Sequence, residues 1–140
     1  MREKLIELRP IFLVEDDEVD RLTVERALAD LRVRNDLHFA HDGVDALAYL
    51  HDKARDRPAL VLLDINMPRM NGIELLRVMK ADEQMRRIPV VMLTTSAEDK
   101  DRLESFDLSV AGFMIKPVDY AQFVEVVRAI HLYWSLCELP

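Results

Sequence analysis

The sequence predicts an α/β fold in which a five-stranded parallel sheet is doubly wound, with helices covering both of its faces. Three observations predict it. Five short apolar runs recur along the chain: "PIFLV" before Glu15, "LHFA" before His41, "ALVLLD" ending at Asp64, "PVVMLTT" ending at Thr95 and "AGFMIK" ending at Lys116. The two longest, Ala59 to Leu63 and Pro89 to Leu93, are apolar at successive positions, as parallel strands buried on both faces are. Segments with helical spacing lie between the runs, and strands alternating with helices five times over imply one open sheet with right-handed crossovers.

Taken in order, the run before Glu15 is the first strand, and Val24, Ala27, Leu28 and Leu31 then follow the i, i+3, i+4, i+7 pattern of a helix with one apolar face. Asp17 favours the start of that helix through the helix dipole. After the second run, Gly43, Ala46, Leu47 and Leu50 repeat the spacing, and after the third, Gly72, Leu75, Leu76 and Met79 do so again. Met67 and Pro68 shape the loop that precedes this third helix, while Asn71 and Gly72 supply a turn and its start. Asn71 stands three residues before Glu74, Ser96 three before Asp99 and Asp119 three before Gln122, each resembling a capping box. The segment from Lys100 to Ser109 has only Leu103 and Phe106 as a thin stripe, so its helix is expected to be the least firmly docked. The last helix carries Phe123, Val126, Val127, Ile130 and Trp134 and runs on into "SLCELP". The expected organisation is a single domain over residues 1–140, with residues 131–140 extending the last helix.

Composition narrows the function. A chain of 140 residues, half of them hydrophobic and only three of them glycine, can build its own core. Its formal net charge of −7, with 19 basic residues scattered along it, argues against binding nucleic acid. The single cysteine, Cys137, excludes an internal disulfide and is read as a small apolar contact. Neither it nor the four histidines show metal-ligand spacing, and His38, His41, His51 and His131 are read as surface or half-buried residues. No apolar stretch approaches a membrane span and no signal-peptide pattern opens the chain, so a soluble protein of the reducing cytoplasm is expected.

In a doubly wound sheet the working site lies outside the carboxyl ends of the strands. Those ends carry Glu15 and Asp16, then Asp64, then Thr94, then Lys116. Two carboxylates about 4 Å apart repel by roughly 1 kcal/mol in water and about 4 kcal/mol at an effective dielectric near 20, so something must offset the acidic cluster. A hard divalent cation such as Mg²⁺ would do so, because it prefers oxygen ligands and keeps several waters for an incoming phosphate. Asp64 is then placed to act as a nucleophile toward a phosphoryl group, with Lys116 meeting one phosphoryl oxygen and Thr94 another. The three glycines are isolated, which argues against a glycine-rich nucleotide loop.

Over nearly its whole length, through "VEDD", "LLDINMPRMNG", "MLTTS" and "MIKP", the sequence resembles the receiver domain of two-component response regulators. The resemblance implies the flavodoxin-like (βα)5 receiver fold, with Asp64 as phosphoacceptor for a histidine kinase. It implies Mg²⁺ held by Glu15, Asp16, Asp64 and the backbone carbonyl of Asn66, with Thr94 as the switch hydroxyl and Lys116 as the phosphate-binding lysine. The separations of 30 residues from Asp64 to Thr94 and 52 to Lys116 fit the family pattern. The switch aromatic, usually tyrosine, is matched by Phe113, which has no hydroxyl to anchor it. The segment "LTTSAEDKD" and the tail "VDYAQFVEVVRAIHLYWSLCELP" resemble more narrowly the single-domain receivers that partner bacterial phytochromes.

A phosphatase of the haloacid dehalogenase type is the alternative, since it too forms an aspartyl phosphate. It expects a second aspartate two residues after the nucleophile as acid and base, and Asn66 stands there. Tyr133, Trp134, Leu136 and Leu139 offer more apolar surface than one docked helix can bury, which predicts a homodimer through the last helix and tail.

Overall fold

A computed structural model describes residues 9–94, 110, 112–115, 121, 124, 125, 128 and 129. The expectations for the Ser96 and Asp119 helix starts, the Lys100 to Ser109 segment, the stripe Phe123, Val126, Val127 and Ile130, and Cys137 lie outside these residues. Strands β1 (Ile11–Val14), β2 (Leu37–Ala40), β3 (Leu60–Asp64), β4 (Val90–Thr94) and β5 (Gly112–Ile115) form one parallel sheet in the order β2-β1-β3-β4-β5. Helices α1 (Glu18–Asp30), α2 (Gly43–His51) and α3 (Gly72–Ala81) and a short 3-10 turn (Met85–Arg87) connect the first four strands.

The runs of consecutive apolar residues have a direct explanation in this sheet. Successive side chains of a strand point to opposite faces, so a strand covered on both must be apolar throughout. Ile11, Leu13, Leu60, Leu62, Val91 and Leu93 accordingly pack on one face with Val24, Ala27 and Leu28 of α1, and Val124 joins them there. Phe12, Val14, Val61, Leu63, Val90 and Met92 pack on the other with Ala46 of α2 and Ile73, Leu75, Leu76 and Met79 of α3. The third helical stripe is fully buried, whereas Leu31, Leu47 and Leu50 of the first two are half-buried at the margins.

Local chemistry fixes the helix ends. Asp17 is the N-cap of α1, its side chain accepting from the Asp20 N–H at 3.0 Å, which is a direct bond where the sequence suggested only a dipole effect. At the other end the Val33 and Arg32 N–H groups donate to Leu28 and Ala29 carbonyls, a Schellman closure with Arg32 at φ 57°. The capping box at α3 is complete: Asn71 accepts from the Glu74 N–H and the Glu74 side chain accepts from the Asn71 N–H.

The topology positions the site. From β1 the chain passes outward to β2 and then returns to the far side of β1 for β3. The carboxyl ends of β1 and β3 therefore flank the crevice at which connections diverge to opposite sides, and the residues just past those two ends are brought together.

Candidate functional site

Glu15 extends β1 by one residue, its N–H donating to the Ala40 carbonyl at 3.0 Å, and its side chain is 1% exposed. Its carboxylate accepts from the Asp17 N–H at 3.3 Å, so the first acid is turned back against the start of α1. Asp16 follows it into solvent, and Asp64, the last residue of β3, is 5% exposed. One carboxylate oxygen from each of Glu15, Asp16 and Asp64 lies within 4.8 Å of the others. Two of these three acids are withdrawn from water, where like charges repel most strongly. Oxygen donors at this spacing, carrying that much negative charge, fit a hard dication such as Mg²⁺ and suit a soft metal poorly.

The backbone around Asp64 is held from two sides. The Ile65 N–H donates to the Leu93 carbonyl at 3.2 Å, and the Gly72 N–H, at the start of α3, donates to the Ile65 carbonyl at 2.9 Å. Thr94, fully buried, ends β4 one step beyond Leu93, the register partner of Asp64. Thr94 in turn pairs with Ile115, the last residue of β5, which immediately precedes Lys116 in sequence. Asn66 stands at an exposed position two residues past Asp64. Phe113 lies in β5 with its backbone in register with Met92. The Phe113 side chain, Lys116 and the tail residues Tyr133, Trp134, Leu136 and Leu139 lie outside the described residues.

One set of polar contacts beside this crevice was not foreseen. Asp42, buried at the N-cap of α2, accepts from the Asp45 N–H at 2.9 Å and from Arg69 Nε at 2.5 Å. Arg69 Nη2 also reaches Asp45 at 3.1 Å. The Arg69 hydrogen bond holds the Asp42 carboxyl below its ordinary range, against the opposing effect of burial, and the same contact raises the guanidinium's own value. An aspartate directly before a helical pattern is a readable N-cap signal, and it identifies Asp42; nothing in "MPRMN" announces that Arg69 would be its partner.

Known proteins match this arrangement closely. Residues 11–128 match the response regulator receiver domain family. The response regulator Rcp1 of Synechocystis sp. is 34% identical over 128 residues, covering 89% of this chain and 87% of that protein. The crystal structure of the phosphorylated cyanobacterial phytochrome response regulator RcpA superposes with a TM-score of 0.85 at 38% identity, covering 95% of this chain and 99% of the other. The Mn(2+)-bound form of Rcp1 gives a TM-score of 0.84 at 33% identity, with coverages of 94% and 99%. Of the two function classes that share an aspartyl phosphate, these matches favour the signalling one. With the crevice acids at the ends of β1 and β3 and a family match across most of its length, this chain belongs to the response regulator receiver domain family.

Proposed function

We propose that Asp64 accepts a phosphoryl group from the phosphohistidine of a histidine kinase and that the chain works as a phosphorylation-dependent switch or relay. The observation that carries the reading is the convergence of Glu15, Asp16 and Asp64 within 4.8 Å at the strand ends. An Asp64 carboxylate oxygen attacks phosphorus as the phosphorus–nitrogen bond breaks, and the imidazole leaves with the bonding pair. Asp16, Glu15, Asp64 and the Asn66 backbone carbonyl would hold Mg²⁺, whose charge, when bound, offsets the acids and the transferring phosphoryl group. The Thr94 hydroxyl donates to one phosphoryl oxygen and Lys116 meets another, so that charge on the transferring group is answered from several sides. Thr94 drawn toward the phosphoryl group leaves room for Phe113 to repack, without the hydroxyl anchor a tyrosine would have.

The chain signals by changing its contacts, and its own residues bring about both the gain and the hydrolytic loss of the phosphoryl group. An amide at Asn66 cannot give and take a proton as the acid and base of a dedicated phosphatase would. Similarity to RcpA, a phytochrome response regulator, supports a phytochrome-type sensor kinase as donor, and the Mn(2+)-bound form of Rcp1 supports a divalent metal at the acids. Among the described residues no helix is long and apolar enough to cross a membrane. Exchange with a kinase domain would put the chain's work in the cytoplasm. Residues 1–140 act as one domain, and the apolar tail at Tyr133, Trp134, Leu136 and Leu139 joins two copies.

Incubation with acetyl phosphate and Mg²⁺ tests the central claim. The wild-type chain should acquire one acid-stable, alkali-labile phosphoryl group, and Asp64→Asn should acquire none; equal labelling of the variant overturns the assignment.

A further inference from the structure

The loop between β3 and α3, which carries Asn66, is tied down at more than one point. It is closed at its base by the Gly72 N–H on the Ile65 carbonyl. Farther out, it is tied to a different part of the chain. The Gly43 N–H donates to the Met70 carbonyl at 3.0 Å, and the next residue back, Arg69, spans Asp42 and Asp45 with its guanidinium. The fit is close: a Cβ on Gly43 would fall 2.5 Å from Met70 Cγ and 2.8 Å from the Met70 carbonyl oxygen. Arg69 reaches this position with φ at 61°, a left-handed backbone that strains any residue carrying a Cβ. A planar fork with fixed donors defines its partners' positions better than a flexible ammonium does. One acid of the pair, Asp42, is buried and is itself fixed as the α2 N-cap, so the guanidinium is anchored to a rigid element.

We propose that Arg69 is a positioning residue for the metal site: by clasping Asp42 and Asp45 it fixes the 66–70 loop so that the Asn66 carbonyl is presented to the cation. The inference rests on the reading of the acidic crevice as a Mg²⁺ site, and it concerns a residue that touches neither metal nor phosphoryl group. Removing a partner that orients a ligand from outside the coordination sphere typically weakens metal binding about 10–100-fold.

Two effects of losing Arg69 have opposite signs, which makes the test decisive. Arg69 is a cation near an acidic site, so by charge alone its removal should tighten Mg²⁺ binding. By positioning, its removal should weaken it. Mg²⁺ affinity is measured by isothermal titration calorimetry on the full chain, without any phosphodonor, for wild type, Arg69→Gly, Arg69→Gln and Arg69→Lys. Glycine suits a positive φ, so Arg69→Gly removes the clasp while easing the backbone. Arg69→Gly and Arg69→Gln are expected to bind Mg²⁺ about tenfold more weakly than wild type. Arg69→Lys, which can engage one acid at a time, should recover part of the loss. Affinity in both Arg69→Gly and Arg69→Gln equal to or tighter than wild type overturns the clasp and leaves the crevice reading intact. Absence of Mg²⁺ uptake by the wild-type chain overturns the crevice reading as well, so the two failures are told apart.

Discussion

Gly72 lies so close to Asp64 that a Cβ built on it would fall 2.2 Å from the Asp64 carbonyl oxygen and 2.9 Å from the Ile65 Cα. The atoms in the way are backbone, so no side-chain rotation can make room. The same approach lets the Gly72 N–H reach the Ile65 carbonyl, so the start of α3 is seated directly on the strand end that carries the nucleophile. Gly72 is thus required by proximity and not by a left-handed backbone, since its φ is negative.

Gly72→Ala is therefore expected to cost about 2 kcal/mol or more, at the upper part of the range for overpacked sites. The displaced Asp64 should also accept a phosphoryl group from acetyl phosphate more slowly. Urea unfolding and the labelling rate check the two halves separately. A variant of wild-type stability would mean that α3 can move away without loss.

Glu15→Gln should stabilise the chain in the absence of divalent metal. Of the two acids beside Asp64, Glu15 is the buried one, so its charge costs more to hold there than that of exposed Asp16. The amide oxygen of glutamine can still accept from the Asp17 N–H. We expect metal-free stability to rise by about 1 kcal/mol, the scale set by like charges at this spacing in a partly screened site. The further stabilisation that Mg²⁺ gives the wild type should shrink in the variant. Thermal melts in chelator and in excess Mg²⁺ read both changes.

How much of this could be read from the sequence depended on how local the cause was. Strands covered on both faces leave a consecutive apolar run, so Ile11–Val14, Leu60–Asp64 and Val90–Thr94 were visible. Acids that end such runs were visible as well, because burial next to charge needs an explanation. Glu15, Asp64 and Thr94 stand where the strand ends were expected to put them. The Arg69–Asp42 contact joins residues 27 apart through a loop arginine in a left-handed conformation, and no periodicity encodes either feature. The depth of Glu15 relative to Asp16 was equally illegible, because it follows from one added ladder bond to Ala40.

The Asp42–Arg69 pair should leave a signature in the pH dependence of stability. Arg69's hydrogen bond holds the folded Asp42 carboxyl below 3.8, its ordinary value. A depressed carboxylate contributes stability that is fully present above its unfolded value and is lost as the pH falls through the folded one. The stability difference between wild type and Arg69→Ala should thus be full near neutral pH and shrink as the pH drops below 3.8. Arg69 is half in solvent, so the difference should also decrease with added salt. Urea unfolding at about pH 7 and about pH 3 measures it. A gap that is unchanged or larger at the acidic pH would assign the loss to packing.

Arg32 provides the contrast to Arg69. Both have a positive φ, 57° and 61°, and both are arginines where glycine is the residue that fits without strain. Arg32 occupies the C′ position of α1, where the Schellman bonds from Arg32 and Val33 close the helix and Val33 packs beside Leu28. Its side chain is exposed, so the conformation serves the backbone and asks nothing of the guanidinium. Arg32→Gly removes about 1–2 kcal/mol of left-handed strain. Greater freedom of glycine in the unfolded chain takes back about 0.4–1 kcal/mol of that. A net gain of about 0.5–1 kcal/mol is expected. It should appear as a higher urea midpoint with an unchanged slope, and with Mg²⁺ affinity left as it was. At position 69 the same substitution relieves the same strain and yet should weaken Mg²⁺ binding, because there the side chain holds the loop. Parallel behaviour of the two glycine variants in both measurements would show that the arginine at 69 is, like that at 32, only a helix-and-loop residue.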